Sequence, residues 1–342
     1  MSVLLENRFL RRIVTVPTVV VASTLSVVLA PLTFVGSLIV DRLRSRSTIF
    51  RKVVFFTTAL VIEVLGLVVS LLLWVVTGFG LARCTRWSRA GHARLMGIYA
   101  STLLGLIAWA IGRRRLDVRG AEVLSPGPVI VAARHTSFFD ALIPAALMQH
   151  KQHRLVPHHV LASELLVAPC IDIVGHRLAN VFVHRSNSRA RGHREQLDRI
   201  RELGTTLEAN SGAVIFPEGT FRTPRRFAKA IDRARRRDPD LGDRLNELAY
   251  MLPPYPNGIY ELLMGCPSAD LVLCLNTGLE AFGSAAAILN LASTHQPITV
   301  ECWRFERTSI PTSDQHAFEQ WLVDRWFEVD AWVATELSEF GC

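Results

Sequence analysis

The sequence has six cysteines (Cys84, Cys170, Cys266, Cys274, Cys302 and Cys342) but no CxxC pair and no zinc-ligand spacing, which excludes zinc-ribbon and dithiol redox chemistry. Unpaired, mostly buried thiols are expected, and Cys342 lacks the three following residues a prenylation site requires. There is no HExxH. The cluster His150, His153, His158 and His159 has no carboxylate at ligand spacing, so these four are expected at the surface and no metal is expected. The absence of an internal repeat or low-complexity tract excludes a solenoid. No small-x-small cleavage site closes the first apolar run, so it is expected to be retained. Charge is missing altogether from residues 13–40, and Glu63 is the only charged residue in residues 53–82. Each stretch exceeds the roughly 20 residues that cross a bilayer core. A third uncharged stretch, residues 95–112, is borderline for a span and would also suit a tilted or interfacial helix.

What is present must be read by region. The formal charge of +8 divides into +12 for residues 1–120 and −4 for the remainder. Basic residues flank the apolar stretches: Arg8, Arg11 and Arg12, then Arg42, Arg44, Arg46, Arg51 and Lys52, then Arg113, Arg114 and Arg115. Such clusters suit anionic lipid headgroups. A nucleic-acid partner would require the basic face on the folded domain, so none is expected. Every loop between the apolar stretches is basic, which leaves the topology open. Pro17 and Pro31 are expected to kink the first span, and Glu63 needs a polar partner or a shallow position. The composition changes near residue 113, giving membrane-anchoring helices over 1–112 and a catalytic domain over 113–342. A ratio of 35 Arg to 3 Lys is a GC-rich bacterial coding bias, and a bacterial inner membrane is the expected location, with the catalytic domain on its cytoplasmic side.

Beyond residue 113, strand-like runs alternate with helical patterns. Residues 128–133, 155–161, 180–184, 212–216, 271–275 and 298–305 read as strands, and residues 139–149, 189–209, 224–250 and 313–337 as helices. The expected fold class is α/β, a mainly parallel sheet flanked by helices and preceded by an N-terminal helical membrane region. In such sheets ligands bind beyond the carboxyl ends of the strands.

Two segments follow strands abruptly. In Arg134-His-Thr-Ser-Phe-Phe-Asp140, His135 falls at a strand's carboxyl end and Asp140 in the first turn of the next helix, within reach of one imidazole nitrogen. A neutral imidazole oriented by a carboxylate is the base half of a Ser-His-Asp triad, and a substrate hydroxyl then replaces the serine. With this composition a His-x-x-x-x-Asp pair arises about 0.4 times by chance, so the spacing alone is weak. Ser137 and Asp140 also have capping-box spacing, a structural alternative. In the second segment, Phe216-Pro-Glu-Gly-Thr220, Pro217 and Gly219 favour a tight turn that exposes Glu218 and the Thr220 backbone.

The two segments together resemble the glycerolphosphate and lysophospholipid acyltransferase family, as its first and third signature blocks. Residues 180–185, Asn-Val-Phe-Val-His-Arg, are similar to the second block, and residues 163–175 to the framework between the first two. The resemblance covers the chain from Val118 onward. It implies His135 as base, Asp140 as its orienting partner, and Arg185 as holder of the acceptor's phosphate. Glu218, Gly219 and Thr220 would position the acceptor glycerol, and Arg222 would add a second phosphate contact. The donor would be acyl-CoA or acyl carrier protein (acyl-ACP), a co-substrate, with no cofactor. The acceptor would be lysophosphatidic acid or a lysophospholipid. Ala162, Ser163 and Tyr255 stand where family members often carry basic residues, which leaves open a different lipid alcohol or a non-catalytic lipid-binding relative. The helix over 224–250 is read as a solvated charged face, with lipid headgroups or acyl-CoA phosphates as the alternative.

Overall fold

A computed structural model describes residues 7–44, 48–82, 84–112, 116–183, 190–283, 288 and 297–339. The N-terminal region consists of α1 (Arg8–Val28), α2 (Ala30–Leu43), α3 (Thr48–Val76) and α4 (Arg86–Ala110). α1, α3 and α4 are long and apolar enough to cross a membrane, whereas α2 has only 14 residues. Residues 13–40 therefore form two helices and not one span. The helix runs through Pro17 and breaks at Leu29, and Pro31 occupies the first turn of α2, where its missing N–H is tolerated. α3 is capped across the intervening loop, since the Asp41 carboxylate accepts the Ile49 and Phe50 N–H groups at 3.0 and 2.9 Å.

The remainder is a seven-stranded sheet in the order β1 (Leu116–Arg119), β7 (Ile298–Phe305), β6 (Asp270–Thr277), β2 (Val129–Ala133), β5 (Ser211–Ile215), β3 (Val156–Ala162) and β4 (Val181–Val183). All neighbours pair parallel except β6 and β7. The central strands β2 and β5 are buried on both faces, as their continuous small and aliphatic residues require. On one face Ile130, Ala132 and Ala213 pack beneath α8 (Pro224–Arg237), α9 (Pro239–Leu245), α10 (Pro256–Gly265) and α11 (Gln315–Ser338), beside α7 (Ala190–Thr205). On the other, Val129, Val131 and Val214 pack against α4 and the short α5 (Leu142–Met148). The stretch over 224–250 is broken at Asp238, whose side chain caps α9 just before Pro239.

The N-terminal helices are fastened to α6 (Pro169–Arg177) by buried polar contacts. Asp172 receives Arg11 at 2.9 Å and Arg12 at 3.1 Å. Burial acts to raise the Asp172 pKa, but hydrogen bonds from His176, Arg11 and Arg12 outweigh it and hold the carboxyl below the usual range. Arg11 and Arg12 thus bind a protein carboxylate rather than lipid headgroups. Glu63 finds its partners in the Tyr99 hydroxyl at 2.6 Å and the Cys170 N–H at 2.7 Å.

Candidate active site

β2 delivers the first segment to the carboxyl edge of the sheet. The Arg134 N–H still pairs with the Cys274 carbonyl at 3.0 Å, continuing the β2–β6 ladder by one residue. The chain then turns around Asp140. The buried Asp140 carboxylate accepts the Ser137 N–H at 2.9 Å, the Thr136 N–H and the Thr136 hydroxyl, and lies 3.2 Å from His135 Nδ1. These local bonds compete with helix formation, so α5 starts at Leu142 and Asp140 precedes it rather than lying in its first turn. Asp140 therefore holds the turn and also lies within reach of the imidazole.

His135 stands between Phe216 and Phe221, with ring centroids 5.0 and 5.5 Å away. Its side chain retains 13% exposure, and Nε2 makes no hydrogen bond to a described residue. With Nδ1 facing Asp140, Nε2 is the nitrogen left for a substrate.

The second segment does not expose Glu218. Gly219 (φ +63°) makes the tight turn and lies at the surface, but Glu218 is 2% exposed. One carboxylate oxygen accepts the His135 N–H at 2.9 Å, and the other accepts the Leu252 N–H at 3.0 Å. Two backbone donors in the interior hold the side chain inward, where the sequence had suggested an exposed turn. Burial pushes the Glu218 carboxyl up to about 7, against the opposing pull of Arg134 and of the two N–H bonds. The residue thereby ties the His135 loop to the segment before α10. That segment is itself held by α11: Asp330 accepts the N–H groups of Ala249, Tyr250 and Met251, and the Trp326 indole donates to the Leu252 carbonyl at 2.9 Å.

Arg134 is buried beside Glu218. It pairs with Glu280 at 2.7 Å and donates to the Asn276 carbonyl. Sequence reasoning passed over Arg134, Glu280 and Leu252. The available signal was an arginine inside an apolar strand end, which must have a buried partner.

Among the described residues Thr220 Oγ1 is buried without a partner, and so is Arg222 Nε, the Arg222 guanidinium lying 4.5 Å from the centre of the Phe227 ring. Both therefore keep unused donors near the site. Arg185 lies outside the described residues. Tyr255 sits against Gly219, donates its N–H to the Pro217 carbonyl at 2.8 Å, and has its hydroxyl hydrogen-bonded to Arg233 of α8.

A cavity of about 170 Å³ adjoins the His135 loop, lined by Phe138 and Phe139 from that loop, by Met96 and Leu103 of α4, and by Leu161 and Leu165. His158 and His159, expected at the surface, are buried in β3, because that strand is covered on both faces. Among the described residues no group of three or more His, Cys, Asp or Glu side chains could hold a metal ion.

Residues 115–236 match the family model described as Acyltransferase. No curated protein matches the sequence. The chain is similar to the crystal structure of the 1-acyl-sn-glycerophosphate (LPA) acyltransferase, PlsC, from Thermotoga maritima, with 13% sequence identity and a TM-score of 0.45, over 82% of this chain and 99% of that one.

Proposed function

Because residues 115–236 carry an acyltransferase domain, we propose that the protein moves a fatty acyl group from acyl-CoA or acyl-ACP to a hydroxyl of lysophosphatidic acid or a lysophospholipid. The observation that carries this reading is the His135–Asp140 pair, with Nε2 bonded to no described residue and with Phe138 and Phe139 of the same loop lining an apolar cavity. Nε2 takes the proton of the acceptor hydroxyl as its oxygen attacks the thioester carbon. Asp140 holds the ring and stabilises the imidazolium. The tetrahedral intermediate collapses, the C–S bond breaks, and the thiolate leaves with the proton from His135. Neither an acyl-enzyme nor a cofactor is needed.

Glu218 acts here as a positioning residue, since both its oxygens are engaged by backbone N–H groups. Gly219 leaves the turn open to the acceptor glycerol. Thr220, Arg222 and Arg185 supply donors for the glycerol and phosphate, of which the first two have unsatisfied buried atoms. Arg233 brings a cation to Tyr255 from α8, which favours an anionic acceptor even though Tyr255 itself is uncharged. The cavity takes the acyl chain, and α4 in its wall brings the membrane helices to the site. Helices 1–112 anchor the catalytic domain 113–342 to a bacterial inner membrane on its cytoplasmic side.

The test is to incubate the purified protein with an acyl-CoA or acyl-ACP and a panel of lysolipids and to identify products by mass. A diacyl product made by the wild type and lost in His135→Ala supports the reading. Equal product from that variant removes it.

A further inference from the structure

One part of the cavity has no task in the mechanism above. Its walls are apolar except at Tyr99, whose hydroxyl is already given to Glu63, at His159 of β3 and at Asn180, which precedes β4. His159 is 4% exposed. Burial, and then the neighbouring His158, push its imidazole down to about 3, so the ring is neutral and offers one N–H donor and one bare nitrogen acceptor. Nε2 is sealed in with no hydrogen-bond partner among the described residues, so the nitrogen left to meet a ligand is Nδ1, to which no described residue bonds. Asn180 uses Oδ1 to accept the His159 N–H at 2.9 Å, which points its amide Nδ2 elsewhere; Nδ2 also bonds to no described residue. Bare donors and acceptors inside an apolar cavity are destabilising, and folded proteins keep few of them unless a ligand or water meets them.

The sheet register locates this polar spot relative to the reacting centre. His159 pairs with Val214, and Val214 with Val131, four residues before His135. Four strand residues and two strand spacings separate His159 from His135 by roughly 16 Å. An extended long-chain acyl group whose carbonyl lies at His135 passes this level beyond its midpoint.

We propose that His159 and Asn180 form a hydrogen-bonding subsite for a hydroxyl carried within the acyl chain, so that the cavity selects mid-chain hydroxylated acyl groups. A hydroxyl both donates and accepts, which matches a neutral imidazole and an amide NH2 side by side. A charged group has no counter-ion in these walls, and a plain methylene leaves both polar groups bare. The inference rests on the cavity being the acyl site.

The experiment offers wild-type and His159→Leu protein an equal mixture of stearoyl-CoA and a mid-chain hydroxystearoyl-CoA with one lysolipid, and reads the product ratio by mass. The wild type is expected to favour the hydroxylated chain by about tenfold, His159→Leu to lose that preference, and His159→Gln, which keeps a donor and an acceptor, to retain part of it. A wild type without preference, or the same ratio in His159→Leu, overturns the subsite. Binding of the two free fatty acids to His135→Ala, followed by calorimetry, separates the two readings. Preferential binding there, with no transfer by the wild type, sinks acyl transfer and keeps the subsite; transfer of both chains without preference does the reverse.

Discussion

Among the described residues there are two histidine–aspartate pairs of nearly equal length, one at the sheet's carboxyl edge and one at the seam with the N-terminal helices. His135 Nδ1 lies 3.2 Å from Asp140, and His176 Nδ1 lies 3.0 Å from Asp172. What distinguishes them is the remainder of each carboxylate's company. Asp172 is neutralised by Arg11 and Arg12, and His176 stacks on Phe182 with centroids 4.8 Å apart. Asp140 is met by backbone N–H groups and one hydroxyl, so its charge stays available to an imidazolium, and His135 keeps 13% exposure with Nε2 bonded to no described residue. A paired imidazole becomes a base through the charge left over on its partner and the access left to its second nitrogen.

The largest expected effect separates the two pairs outright. His135→Ala should lower acyl transfer by about 10²–10⁴-fold, the range of general-base catalysis, while His176→Ala stays within a few-fold. Initial rates on matched amounts of folded protein check this, and comparable losses in both would erase the distinction. Next, Asp172→Asn removes the carboxylate charge that two guanidinium groups share, one of them fully buried. Removing one partner of a buried ion pair is worth roughly 3–5 kcal/mol, so thermal unfolding in detergent should drop by several degrees with turnover per folded molecule preserved.

Glu218 tests the catalytic pole through pH. Its folded pKa of about 7 is raised above the ordinary value of 4.5, so the folded protein holds this proton more tightly than the unfolded chain. Its contribution to stability is therefore fully present below the ordinary value and is lost as pH rises toward about 7. Glu218→Gln should flatten that slope in melting temperature measured from about pH 5 to about pH 8, and an unaltered slope would assign it to another group. The amide also offers one acceptor where two N–H groups need one each, so a loss of about 1–3 kcal/mol in stability accompanies the change. Smallest is Arg233→Ala, for which a KM increase of a few-fold is expected with a phosphomonoester acceptor and none with a neutral lipid alcohol.

Features with a local cause were legible in the sequence. β2 and β5 are unbroken apolar runs, which only a sheet covered on both faces accommodates, and the His135 segment follows one of them directly. β1 was not legible, because its four residues, Leu-Asp-Val-Arg, lie at the sheet edge and carry no apolar run. α10 was hidden behind Pro253, Pro254 and Pro256, although a proline in the first turn is a normal helix start. Glu218 was misread because its partners, the N–H groups of His135 and Leu252, lie 83 and 34 residues away. The same distance in sequence hid the ion pairs of Arg11 and Arg12 with Asp172 and the cavity wall, which draws on α4, the His135 loop, β3 and α6.

Glu63 gives the molecule an order of assembly. Alone in a lipid environment, α3 would carry a carboxylate with nothing to meet it, an expensive state. One of its partners, Tyr99, arrives with α4, and the other, the Cys170 amide, is made only after β3 is complete. The N-terminal helices by themselves therefore complete only half of the Glu63 site. A chain that stops at residue 112 carries the Tyr99 hydroxyl for one Glu63 oxygen but leaves the other without the Cys170 N–H that meets it in the folded protein.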